Sequence, residues 1–127
     1  MPKEYIAYKG SFFTLEWYFN DRNKSEAFEY FEELSIAQQK KILHLFALLG
    51  NMGKIFNEEK FRYEGDQIYA LKSSPDRFLC FFFEDAKIII TNAYEKKMAK
   101  LPTREKEKAI KAKNDYGKRC KKGIYYD

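Results

Sequence analysis

The sequence predicts an α+β fold: an N-terminal strand and a helical hairpin packed on a small antiparallel sheet, followed by a C-terminal helix. Three observations predict it. Apolar side chains between Ala27 and Leu49 recur at three- and four-residue spacing, the period of a helix face. Three short β-type runs then follow one another, Gln67 to Lys72, Arg77 to Phe83 and Lys87 to Tyr94. The links between them, Ser73-Ser74-Pro75 and Glu84-Asp85-Ala86, are short enough to favour antiparallel pairing. Helices are thus segregated from strands along the chain, which marks the α+β class.

The elements follow in order β-α-α-β-β-β-α. Phe12 to Phe19 is aromatic-rich and weakly alternating, which reads as a strand, and Asn20-Asp21-Arg22-Asn23 reads as a turn. Asn23 with Glu26 three residues on fits a capping box, placing Ala27, Phe28, Phe31 and Leu34 on one helical face. Ser35 with Gln38 repeats that signal ahead of Ile42, Leu45, Phe46 and Leu49, and Gly50 or Gly53 can end this second helix. Lys54 to Asp66 is a connector with room for a short strand around Phe61, leading through the Glu64-Gly65-Asp66 turn into the strands. Pro102-Thr103 opens the last helix, with Ala109, Ala112 and Tyr116 on one side, and Gly117 ends it. The whole chain, 1–127, reads as a single domain with its core at about 12–117 and a mobile basic tail at 118–127.

Composition narrows the class. Apolar content of 45% and aromatic content of 18% argue against disorder, although 34% of residues are charged. No apolar run approaches the roughly 20 residues of a membrane span, and Met1 to Gly10 lacks a signal-peptide core, so a cytoplasmic protein is expected. Cys80 lies within the aromatic run Phe78 to Phe83 and reads as a small core hydrophobe, while Cys120 lies in the basic tail. With a single histidine, His44, and no CxxC pair, no metal site or cofactor is expected. Charge is uneven: residues 1–59 carry 7 Lys+Arg against 9 Asp+Glu, and residues 60–127 carry 17 against 10. A polyanion is therefore expected on the second half, where the meander lies.

Each run of the meander carries or abuts a cation that a core does not need, namely Lys72, Arg77 and the Lys96-Lys97 pair. Cations around one concave face suit a phosphodiester, so RNA or another polyanion is the first substrate class. Metal-free RNA cleavage uses the 2′-OH as nucleophile and needs a base, a clamp for the phosphorane and a proton for the leaving oxygen. Arg77 suits the clamp because a guanidinium stays charged and forks two donors. Lys96 or Lys97 suits the base, its pKa lowered by neighbouring cations, or alternatively the acid. Tyr94 either assists proton transfer, stacks on a base or belongs to the core. Lys72, Lys100, Lys118 and Arg119 are candidates for RNA binding. His44 reads as structural or surface, on the hairpin away from the meander. Glu84 and Asp85 read as turn residues, and Glu58, Glu59, Glu64 and Asp66 as solvated surface.

The order and spacing of Gly65-Asp66-Gln67-Ile68-Tyr69-Ala70-Leu71-Lys72, Asp76 to Phe81, Ile88 to Lys97, Pro102 and Glu105 to Ala109 resemble one family. They look like the RelE/HigB superfamily of bacterial toxins, in particular its phage-derived HigB-like group, over residues 12–117. The resemblance implies a RelE-like fold and the toxin of a type II toxin–antitoxin system, an endoribonuclease that cuts mRNA on the ribosome. It also implies a small cognate antitoxin, expected to be a helix-turn-helix protein. The chain departs from the family pattern at Lys72, where an arginine is frequent, and at Asn92-Ala93-Tyr94, which lacks a frequent histidine. Ile68 and Ala70 stand where RelE itself carries paired lysines. The alternative is a catalytically inactive phage or mobile-element homologue that binds only an antitoxin or nucleic acid. A DNA-binding regulator is a weaker third reading, since no helix-turn-helix is visible.

Overall fold

The computed structural model describes residues 5–53, 55, 57–84 and 86–127. Lys54, at the start of the expected connector, and Asp85, read as a turn residue, lie outside the described residues. In chain order the elements are β1 (Ile6–Lys9), β2 (Thr14–Trp17), α1 (Glu26–Glu33), α2 (Ile36–Met52), β3 (Phe61–Tyr63), β4 (Tyr69–Ser73), β5 (Asp76–Phe83), β6 (Lys87–Glu95) and α3 (Thr103–Lys121). The six strands make one sheet in the order β1-β2-β6-β5-β4-β3. The α+β class stands, but the sheet is mixed where an antiparallel one is expected. β2 lies parallel to β6, with Thr14 opposite Lys87 and Trp17 opposite Ile90. The long connection that parallel neighbours require is supplied by the helical hairpin and the meander.

Both faces of the sheet are covered, which is why β5 and β6 read as nearly unbroken apolar runs. Alternation along β5 sends Phe78 and Cys80 into a core beneath α1 and α2, and Leu79 and Phe81 into a second core beneath α3. In the first core the Trp17 ring lies 5.3 to 5.7 Å from those of Phe28, Phe31 and Phe46, joining both helices of the hairpin to β2. Ala27, Ile42, Leu45, Phe46 and Leu49 are buried as their spacing predicts.

The caps follow the sequence with two shifts. Ser35 and Gln38 make the expected reciprocal box at α2. At α1 the cap is Ser25, whose Oγ accepts from the Phe28 N–H at 3.2 Å, rather than Asn23. Asn23 instead takes φ +60° in the preceding turn, a conformation asparagine tolerates well. Gly53, at φ +79°, ends α2. Gly50 is buried within the helix, and its carbonyl accepts from the N–H groups of Phe12 and Phe13.

The largest difference from expectation is at the C-terminus. Gly117 lies inside α3, which runs on to Lys121, and residues 118–127 are not a loose tail. Gly123 at φ +72° turns the chain back, and Tyr125 is buried at 1% exposure. Its hydroxyl accepts from the Phe19 N–H at 2.9 Å. Tertiary packing thus outweighs the roughly 1 kcal/mol that a mid-helix glycine costs.

Candidate functional site

Lys72 stands opposite Arg77 across β4 and β5, and Arg77 opposite Tyr94 across β5 and β6. Directly opposed residues of antiparallel neighbours share a face, so these three side chains form a row. The row lies on the α3 side, two residues beyond Ala70, Leu79 and Asn92, all buried. Helix α3 begins at Thr103 and does not cover it. Residues 96–102 instead loop around it, tied down where the Lys96 N–H donates to the Pro75 carbonyl at 2.8 Å. The result is a cleft of about 490 Å³. Its floor is Lys72, Arg77 and Tyr94; its walls are Arg62 and Glu64 on one side and Lys96, residues 98–101, Thr103 and Lys106 on the other.

Arg77 is only 8% exposed, which excludes a solvated strand-end arginine. One Nη donates to the Asp76 carbonyl at 3.0 Å, and among the described residues no carboxylate pairs with it. Asp76 itself cannot serve. Strand alternation turns its carboxylate to the opposite face, where it accepts from the Tyr30 hydroxyl at 2.5 Å and from Gln38 Nε2 at 3.5 Å. Among the described residues no buried side-chain nitrogen lacks a hydrogen bond, so the guanidinium nitrogens that the Asp76 carbonyl does not engage face the cleft, free to bond an anion.

The neighbours sharpen this. Burial lowers the Lys72 pKa below the ordinary lysine value, and the charges of Arg62, Arg77 and Lys96 push it the same way, against Glu64. Burial raises the Tyr94 phenol, helped by Glu64 and Glu105 and opposed by Arg77, so it remains a proton donor at neutral pH. Glu64 is not solvated surface: its side chain is 17% exposed, lines the cleft and stands 3.8 Å from Arg62. Asp66 is exposed, and its carboxylate is held below the usual range by Lys106 at 2.8 Å. That pair ties the Gly65-Asp66-Gln67 turn, whose three residues all have positive φ, to the first turns of α3. Thr103, the first residue of α3, lines the cleft, so the helix's partial positive end adds to its field.

The structure therefore brings together Lys72, Arg77, Tyr94, Lys96 and Lys100 of the sequence-predicted residues. Lys97 is exposed but is not among the lining residues. Lys118 lies exposed some 15 residues along α3 from Thr103, about 22 Å away at helical rise. Arg119 is engaged structurally: it bonds Asp115 at 2.8 to 2.9 Å, donates to the Phe19 carbonyl and covers the Tyr125 ring at 4.7 Å. Asn92 is buried, and its Nδ2 donates to the Glu105 carbonyl and carboxylate at 3.1 Å each. It pins α3 to the sheet. His44 is exposed on α2, beneath the opposite face of the sheet. Burial pushes the Cys80 thiol up to about 12, as suits an inert core residue. Sequence reasoning missed Arg62, Glu64 and Lys106. The signal for Arg62 lay in the register, which pairs it with Ala70, on the face that carries Lys72 two residues later.

Residues 29–114 match the model of the family described as phage derived protein Gp49-like. The chain belongs to that family. The Gp49-like match runs from the middle of α1 to the middle of α3 and so contains every residue that lines the cleft. It leaves out β1, β2 and the packed C-terminus around Tyr125. No curated protein matches the chain. Among the described residues no helix is long and apolar enough to cross a membrane.

Proposed function

We propose that this Gp49-like protein is the toxin of a type II toxin–antitoxin system in the RelE/HigB superfamily. It acts in the cytoplasm as a ribosome-dependent endoribonuclease on mRNA and is held in check by a cognate antitoxin. The observation that carries the reading is Arg77, a nearly buried arginine whose guanidinium faces the cleft without a carboxylate partner among the described residues, flanked in register by Lys72 and Tyr94.

The chemistry follows from these groups. Arg77 clamps the non-bridging oxygens of the scissile phosphate and gains charge-assisted bonds as negative charge builds on the phosphorane. The 2′-OH loses its proton to a neutral amine while its oxygen bonds to phosphorus. We assign that base to Lys72, in place of Lys96 or Lys97, because Lys72 is the lysine in the cleft whose pKa is lowered by burial and by neighbouring cations. The P–O5′ bond breaks, and the leaving oxygen takes its proton from the Tyr94 phenol or the Lys96 ammonium. Lys100 and Arg62 extend the cationic wall along the backbone. The products are a 2′,3′-cyclic phosphate and a 5′-hydroxyl. End-group analysis of mRNA cut by purified protein on programmed ribosomes tests this. A 5′-phosphate means that water attacked, and the lysine mechanism falls.

One observation favours the second reading, a binding module without catalysis. Ile68 and Ala70, at the positions of RelE's paired lysines, are buried in the core beneath α3, so those two positions offer the cleft no cation. Binding of mRNA without any cut product supports that alternative.

A further inference from the structure

The cleft is not the only cationic hollow. On the other side of the β4–β5 turn a second groove of about 490 Å³ is lined by Lys40, Lys41 and His44 of α2, Lys60 ahead of β3, and Ser73 and Ser74. Lys40 and His44 are four residues apart on the helix and Lys41 and His44 three, so all three project from one side. All four basic residues are exposed, and among the described residues none of the three lysines has an ion-pair partner. That contrasts with Lys106 and Lys108 on α3, each held by an acid at 2.7 to 2.8 Å. The first turn of α2 has no acidic residue to balance the lysines that follow.

The groove and the cleft share their dividing wall. The Lys72 N–H donates to the Lys60 carbonyl at 2.8 Å, and the Pro75 carbonyl accepts from Lys96. Ser74, exposed at the tip of the turn, is two strand residues from Lys72, roughly 7 Å. We infer that this groove is a second subsite for single-stranded RNA, holding backbone phosphates of the nucleotides that leave the cleft over the β4–β5 turn. The inference rests on the RNA reading of the cleft. Lysines act here as point charges, so the subsite adds affinity without reading sequence. An acidic protein fits less well. Leu45, the apolar residue lining the groove, is buried, and the exposed apolar residue on that side of α2, Ile36, stands one turn outside it, so the groups accessible within the groove are lysine, histidine and serine.

Fluorescence anisotropy with labelled 2′-O-methyl RNA, which cannot be cut by 2′-OH attack, tests it on the full chain. A trinucleotide probes the cleft and a nonanucleotide probes cleft and groove together. The Lys40→Gln/Lys41→Gln/Lys60→Gln variant should bind the trinucleotide as the wild type does and melt at the same temperature. It should lose roughly tenfold or more of the nonanucleotide's affinity, and its salt slope should fall by about 2, close to 0.7 for each lost cation. Unchanged nonanucleotide affinity and slope overturn the groove. Equal competition by polyglutamate of matched charge overturns its assignment to RNA. The cleft reading fails separately, when Arg77→Ala binds the trinucleotide as tightly as the wild type.

Discussion

The two ends of the sheet's α3-covered face handle buried charge in opposite ways. At the end that packs on the C-terminus, Glu16 and Arg119 are both matched. Glu16, 5% exposed, accepts from the Tyr126 hydroxyl at 2.7 Å and pairs with Lys87 at 3.4 Å. Arg119 is held by Asp115, which also accepts from the Tyr18 hydroxyl. At the other end Arg77 is more deeply buried than Arg119, yet it finds one backbone carbonyl, and burial with neighbouring cations lowers the Lys72 pKa. Matched charges fix the chain in place, whereas a cation without an acidic partner adds little to the fold and gains charge-assisted bonds when an anion binds. The first end therefore reads as architecture and the second as a binding site.

That contrast can be broken most forcefully at Lys72. Lys72→Arg keeps the charge but removes a group that can be neutral, so single-turnover cleavage should fall by about 10²–10⁴-fold. At sub-saturating RNA the wild-type rate should rise with pH as Lys72 of the free protein deprotonates and level off below the ordinary lysine range, since its pKa there is lowered. The arginine variant should lack that rise. RNA binding in the wild type should take up a proton, so affinity should weaken as pH climbs through the same window.

At the architectural end the expected losses are of stability. Tyr125→Ala should cost about 3–5 kcal/mol, as truncation of a buried aromatic does, read by denaturant midpoint. Deleting 117–127 should for the same reason reduce soluble protein, because Tyr125 and Arg119 go with it. Smaller is Arg119→Ala, at about 1–3 kcal/mol for leaving Asp115 and the Phe19 carbonyl short of a donor. The cleavage rate of that variant at saturating RNA should match the wild type. A lost rate with unchanged stability would move Arg119 into the site.

Much of this was legible in the sequence, and the misses share a cause. The α2 cap, strands β5 and β6 and the buried stripe of α3 are written in local spacing, and they appear where that spacing puts them. The strand β1, the parallel pairing of β2 with β6 and the continuation of α3 past Gly117 depend on partners far along the chain. Tyr125 looks like tail until Phe19 and Arg119 surround it. In the site, Lys72, Arg77 and Tyr94 could be marked because each sits in an apolar strand that does not require it. Glu64 and Arg62 were passed over because a short strand beside a turn carries no local sign of what it faces. Lys40 and Lys41, in the more acidic half of the sequence, join Lys60 only in three dimensions.

The central claim is that Arg77 is an unmatched cation waiting for a phosphate, and Arg77→Ala measures it most directly when melting temperature and RNA affinity are read on the same preparation. The melting temperature should stay close to or above that of the wild type, since Arg77 has no acidic partner to lose. RNA binding should weaken and cleavage should slow by about 10²–10³-fold, as when one oxyanion donor is removed. A variant that melts well below the wild type, as Arg119→Ala should, while binding and cutting RNA normally, would contradict it.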